Sequence, residues 1–127
     1  MPRREPRPTD TELRILRVLW ERGPATVREV HEALSAEKPV GYTTALKMLQ
    51  VMHEKGLVLR DESERPHRYR TQSARADTQG RLLRDLIERA FGGSPSALVL
   101  RALSDTELSA TERAEIERLL NKRGAET

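Results

Sequence analysis

No cysteine occurs among the 127 residues. Disulfides, thiolate metal sites and a thiol nucleophile are thereby excluded. Aromatic residues are scarce, with one Trp, two Tyr and one Phe. A cofactor pocket would be hard to line with so few rings. The core is left to Leu, Ile, Val and Ala, with Trp20 expected as its largest piece. No stretch approaches the ~20 apolar residues of a membrane-spanning helix. No apolar run follows the arginines of the opening MPRREPRP, so neither membrane insertion nor a secretory signal is expected, and the expected location is cytoplasmic. A glycine-rich phosphate loop, a nucleophile elbow and a clustered catalytic triad are all missing, which argues against an enzyme. His31, His53 and His67 fall on separate segments without an i, i+4 pair, so no metal site and no cofactor are expected.

What the chain does have is charge of both signs. Charged residues make up 34%, for a net charge of +3. Mixed signs with strong helical periodicity indicate a folded, charge-rich helical protein rather than a disordered one. The excess is not spread evenly. Residues 1–70 hold 14 Lys and Arg against 11 Asp and Glu, whereas residues 71–127 hold nine of each. The positive balance therefore lies wholly in the first half.

Residues 1–8 form a Pro/Arg-rich basic arm. Arg3, Arg4 and Arg7 either enter a minor groove or stay solvated. Thr9-x-x-Glu12 is a capping box that opens a helix carrying Leu13, Ile15, Leu16, Val18, Leu19 and Trp20. Gly23-Pro24 closes it. Thr26-x-x-Glu29 is a second capping box, before a short helix with Val27, Val30, Ala33 and Leu34 at helical spacing. After the break at Lys38 to Gly41, a third helix runs from Tyr42 to Lys55. Ala45, Met48, Leu49 and Met52 lie on one face, and Gly56 stops it. Residues 57–60 and 68–71 read as strands joined by a charged turn over Asp61 to Pro66. Pro66 donates no ladder hydrogen bond and suits the tip.

Helix followed by basic hairpin is the order of a winged helix-turn-helix, in which the helix enters the DNA major groove and the hairpin lies on the phosphates. On that reading Thr43, Thr44, Lys47 and Gln50 face the groove. Threonine offers a hydroxyl and a methyl, lysine reaches guanine or phosphate, and glutamine pairs with adenine. Tyr42 at the helix start suits a phosphate. Leu46 sits between the faces and either touches a thymine methyl or packs. For Thr43 and Thr44 helix-start preference is the alternative, and for Lys47 simple solvation. In the hairpin, Arg65, His67 and Arg68 are the candidate phosphate contacts, among Arg60, Arg70, Asp61, Glu62 and Glu64. A solvated turn is the bland alternative. Arg28, near the start of the second helix, is placed to touch the backbone. Alternation turns Tyr69 away from Arg68 and Arg70, toward the core.

Three more helices follow. Residues 74–91 carry the stripe Leu82, Leu83, Leu86, Ile87, Ala90 and Phe91, ended by Gly92-Gly93. Ser94-Pro95 starts a segment, with Ala97, Leu98, Val99, Leu100 and Leu103, that is apolar on nearly all sides. Ser109-x-x-Glu112, a third capping box, opens a last helix with Ile116, Leu119 and Leu120. A short tail cannot cover an all-round apolar helix by itself. The simplest cover is a second copy of the chain, and folding back on the chain's own first domain is the alternative. The expected organisation is a basic arm (1–8), a winged-helix DNA-binding domain (9–72) and a helical dimerisation domain (73–124). The fold class is mainly α with a small β-hairpin.

These motifs resemble the BlaI/MecI/CopY family of bacterial penicillinase-type repressors. The resemblance rests on T-x-x-E-L-x-I-L-x-x-L-W (Thr9 to Trp20), P-A-T-V-R-E-V (Pro24 to Val30) and Y-T-T-A-L-K-M-L-Q (Tyr42 to Gln50). It continues through E-K-G-L-V (Glu54 to Val58), F-G-G-S (Phe91 to Ser94) and L-S-x-x-E (Leu108 to Glu112). It implies a homodimeric repressor bound to a pseudo-palindromic operator. In antibiotic-responsive members a membrane-bound sensor protease is the partner, and derepression follows proteolysis in the dimerisation domain. The bond matching theirs is Arg101-Ala102, where those members carry Asn-Phe. Copper-responsive members carry a C-terminal cysteine cluster that this chain lacks. A winged helix that docks a partner protein instead of DNA is the competing reading.

Overall fold

The computed structural model describes residues 7–126. The part of the basic arm that holds Arg3 and Arg4 lies outside the described residues. Six helices and one two-stranded sheet follow in the order α1 (Asp10–Arg22), α2 (Val27–Glu37), α3 (Tyr42–Lys55), β1 (Val58–Asp61), β2 (Arg68–Thr71), α4 (Arg75–Ala90), α5 (Pro95–Asp105) and α6 (Ala110–Glu126). The chain forms two compact units, one up to Leu82 and one from Leu83.

In the first unit the local signals act as the sequence expects. The Thr9 hydroxyl accepts from the Glu12 N–H at 3.2 Å, and the Glu12 carboxylate accepts from the Thr9 N–H at 2.9 Å. Thr26 and Glu29 make the same reciprocal pair at the start of α2. These contacts satisfy amide groups that a helix start would otherwise leave without partners. At the end of α3, Gly56 adopts φ 83°, a left-handed conformation that only glycine enters at little cost. The core is a single cluster in which Ile15, Leu16, Leu19, Ala25, Val30, Leu34, Leu49, Met52, Leu57, Val58 and Tyr69 are buried.

The hairpin is antiparallel, with Val58 opposite Thr71 and Asp61 opposite Arg68. Two differences from the sequence reading appear here. Leu57 was expected in the first strand and instead precedes it. Its N–H donates to the Met52 carbonyl at 2.9 Å, closing the turn off α3, and its carbonyl accepts from the Gln72 N–H at 3.0 Å. Asp61, expected in the turn, is the last residue of β1. Its carboxylate accepts from the Ser63 N–H at 2.9 Å and the Ser63 hydroxyl at 2.6 Å, which orders the charged turn.

A third segment joins the sheet. Ala25, between α1 and α2, exchanges two backbone hydrogen bonds with Tyr69, at 2.9 and 2.8 Å. The hairpin is thereby tied to the α1–α2 turn, and α1, α2, α3 and the hairpin form a winged helix-turn-helix. Trp20 is corrected from core to margin. It is half-buried and packs against the cluster. Its indole N–H donates to the Ser73 carbonyl at 3.4 Å, and the Arg75 guanidinium lies 5.8 Å from its ring centroid. The first turns of α4 belong to this unit, and Thr78 there is buried.

In the second unit Ser94 caps α5, accepting from the Ala97 N–H at 3.1 Å with Pro95 at the first helical position. Ser109 and Glu112 form the expected capping box of α6. No residue of α5 is buried. Leu83, Leu86, Val99, Leu100, Leu103, Leu119 and Leu120 are all exposed, Leu100 at 65%. Ile87, Phe91, Leu98 and Ile116 are half-buried, as is Leu82 at the end of the first unit.

Candidate nucleic-acid interface

The faces of α3 are set by its periodicity. Ala45, Leu49 and Met52 are fully buried, and Met48 is half-buried against the same cluster. Tyr42, Thr43, Thr44, Lys47 and Gln50 are exposed, so the structure brings together the expected groove-facing residues on one surface. Leu46 is half-buried at the border of the two faces. Lys47 has no ion pair among the described residues, so its ammonium is available to an anion. Glu54 is also exposed, one turn beyond Gln50, and it places an acid at the far end of the same face.

The start of α3 is held from α2. The Tyr42 ring meets the His31 ring edge-on, with centroids 5.7 Å apart. His31 Nε2 lies 2.8 Å from the Val40 carbonyl oxygen, a distance that suits an N–H donated by the ring. Sequence reasoning treated His31 only as a rejected metal ligand. Its contacts place it instead as a brace for the α2–α3 turn. Tyr42 keeps about half its surface exposed. Among the described residues no cluster of three or more His, Asp or Glu is arranged to hold a metal ion.

In the hairpin, alternation puts Arg68 and Arg70 outside and Tyr69 inside. Arg65 is exposed in the turn and His67 is half-buried just before β2. Arg60 is engaged with the Glu62 carboxylate, its Nε donating at 2.7 Å. A hydrogen bond to the Tyr69 side chain, then the Glu62 carboxylate, hold the Arg60 guanidinium above the usual arginine range. Arg28, on α2, is exposed and pairs with Glu32 one turn on, at 3.4 Å.

Two carboxylates organise this surface from behind. Glu12 is almost fully buried, and its Oε2 accepts from the Lys55 ammonium at 2.9 Å, joining the start of α1 to the end of α3. Burial pushes the Glu12 carboxyl up, yet the Thr9 amide and the Lys55 ammonium together hold it below the usual glutamate range. Glu29 caps α2 and meets two arginines, Arg22 at 2.8 Å and Arg68 at 3.3 Å. The Thr26 amide is the main cause that holds its carboxyl low. The sequence identified both glutamates as cap partners and missed their cationic neighbours, which lie on elements distant in the chain.

Comparison with known proteins agrees with this architecture. A family model described as penicillinase repressor matches residues 8–122. The chain is 40% identical over 93 residues to the transcriptional regulator BlaI of Mycobacterium tuberculosis, covering 71% of this chain and 67% of that one. It is 20% identical over 115 residues to the methicillin resistance regulatory protein MecI of Staphylococcus aureus, covering 91% and 94%. A solution structure of Bacillus licheniformis BlaI, in its monomeric form in complex with the blaP half-operator, is similar in fold. Its TM-score is 0.52 at 24% identity, covering 58% of this chain and 90% of that one. The family match spans nearly the whole chain. The chain belongs to the penicillinase-repressor family of transcriptional regulators.

Proposed function

We propose that this chain represses transcription by binding a pseudo-palindromic DNA operator as a homodimer. The observation that carries the reading is the exposed face of α3, where Thr43, Thr44, Lys47 and Gln50 stand together on a rigid helix backed by a buried core. A major groove accepts one such helix, and side chains of these types match its donor and acceptor edges. Tyr42, Arg28, Arg65, His67 and Arg68 supply the flanking phosphate contacts, which fix register rather than sequence. The protein of similar fold is bound to a half-operator, which supports the DNA-binding reading.

The second unit brings in a second copy, whose α3 meets the second half-site. Its exposed leucines on α4, α5 and α6 form apolar surface that a second copy would cover. The sequence reading put the domain division at about residue 72, whereas the compact units divide after Leu82, so the first turns of α4 go with the winged helix. Derepression by a sensor protease is part of the proposal. The Arg101-Ala102 bond lies within helical α5 with both residues exposed, so cleavage needs α5 to unwind locally, and severing it removes part of the dimer surface.

The test is fluorescence anisotropy of the purified protein on its own upstream intergenic DNA, against a scrambled duplex, at two salt concentrations. Tight binding with sequence preference and a steep salt dependence is expected, because each neutralised phosphate releases counterions. Equal weak binding to both duplexes would overturn the operator reading in favour of a protein-docking winged helix.

A further inference from the structure

The Glu29 carboxylate sits where three parts of the winged helix converge. It accepts from the Thr26 N–H at 3.0 Å as a cap of α2. Arg22, in the last turn of α1, donates to Oε2 at 2.8 Å. Arg68, on the wing strand β2, donates to Oε1 at 3.3 Å across 39 residues of sequence. Beside it, the Ala25–Tyr69 backbone bridge joins the same turn to the same strand. One anion therefore holds two guanidinium groups and the root of the wing.

We infer that Glu29 is a specificity-determining residue, positioning the Arg68 guanidinium and the wing root so that phosphate contact depends on correct docking of α3. This rests on the operator reading above. A guanidinium carries five N–H donors in a rigid fork, and Arg68 is half exposed, so the pair with Glu29 leaves donors for a phosphate while fixing their direction. An arginine without such an anchor follows any phosphate, and that contact carries no sequence information. Glu29 also cancels positive charge that would otherwise strengthen binding to DNA of every sequence.

The Glu29→Gln substitution separates this role from capping, because glutamine also serves at the third position of a capping box. Binding of the variant is measured on the upstream DNA and on a scrambled duplex across a salt series, with thermal melts as the check on folding. The expected result is stronger binding to scrambled DNA, a steeper salt dependence, and a roughly three- to tenfold loss in the ratio of specific to non-specific affinity, the size set by two partly exposed ion pairs. Arg68→Gln supplies the second arm. If Arg68 is the residue positioned, adding Glu29→Gln to Arg68→Gln lowers the ratio little further. An unchanged ratio in Glu29→Gln, with the unsubstituted chain retaining its preference, would overturn the inference and leave the operator reading standing. A loss of ratio in the double variant equal to the product of the two single fold losses would also overturn it. No preference in the unsubstituted chain would overturn both.

Discussion

At the scale of single residues, the exposed face of α3 and the carboxylates behind it respond to different tests. Lys47 makes no ion pair among the described residues and stands on the exposed face, so its replacement leaves folding untouched. Lys47→Ala should weaken operator binding by about 1–3 kcal/mol if the ammonium reads a guanine, with relaxed preference at one base position. If it meets only a phosphate, binding weakens uniformly over sequences and the salt slope falls by about one. Titration across base-substituted operators distinguishes these outcomes. Glu12 answers to acid instead. Its carboxyl is held below the usual range in the folded chain, so the folded state binds fewer protons there than the unfolded one. That stability is complete above the ordinary glutamate pKa and is lost as pH falls through the lower folded value. Thermal melts should therefore show the native chain losing stability between about pH 5 and pH 3, the range in which carboxylates protonate. Glu12→Gln should start less stable at neutral pH and lose less over that range, because Lys55 then has no carboxylate at position 12 to lose.

At the scale of elements, the caps and stops do most of the specifying. Gly56 ends α3 in the left-handed region with open space around its α-carbon. Gly56→Ala creates no collision there, and its cost is conformational, about 1–2 kcal/mol. Denaturant unfolding should show that loss, and Gly56→Asn a smaller one, since asparagine enters this region more readily. These elements were legible because their signals are local: three capping boxes, three glycine stops and one Ser-Pro start all span four residues or fewer. The exposed set on α3 was legible for the same reason, since helical spacing alone separates Thr43, Lys47 and Gln50 from the buried Ala45, Leu49 and Met52. What escaped the sequence was long-range pairing. The Ala25–Tyr69 bridge, the Lys55–Glu12 pair across 43 residues and the Arg68–Glu29 pair leave no periodic trace. Leu57 illustrates a boundary effect, in which a residue apolar enough for a strand is taken by the turn that closes the preceding helix.

At the scale of the whole molecule, the two units differ in how they are completed. The first buries its own core, whereas α5 buries none of its residues and leaves Leu100 largely open. A helix with this exposure is stable only when something covers it. Leu100→Asp should therefore shift the protein toward monomer in sedimentation equilibrium. It should also weaken operator binding on the order of a hundredfold, because the two half-sites then bind independently. Unaltered sedimentation, or operator binding as tight as before, would refute the dimer proposal. The seat of Trp20 has a consequence of another kind. The chain holds one tryptophan, and its indole is joined to Ser73 and stacked near Arg75, where the winged helix passes into α4. Indole emission responds to the polarity and charge around the ring, so the protein carries an intrinsic fluorophore at the foot of α4, within the first unit. Its colour records, without a label, whether the start of α4 is seated on the winged helix.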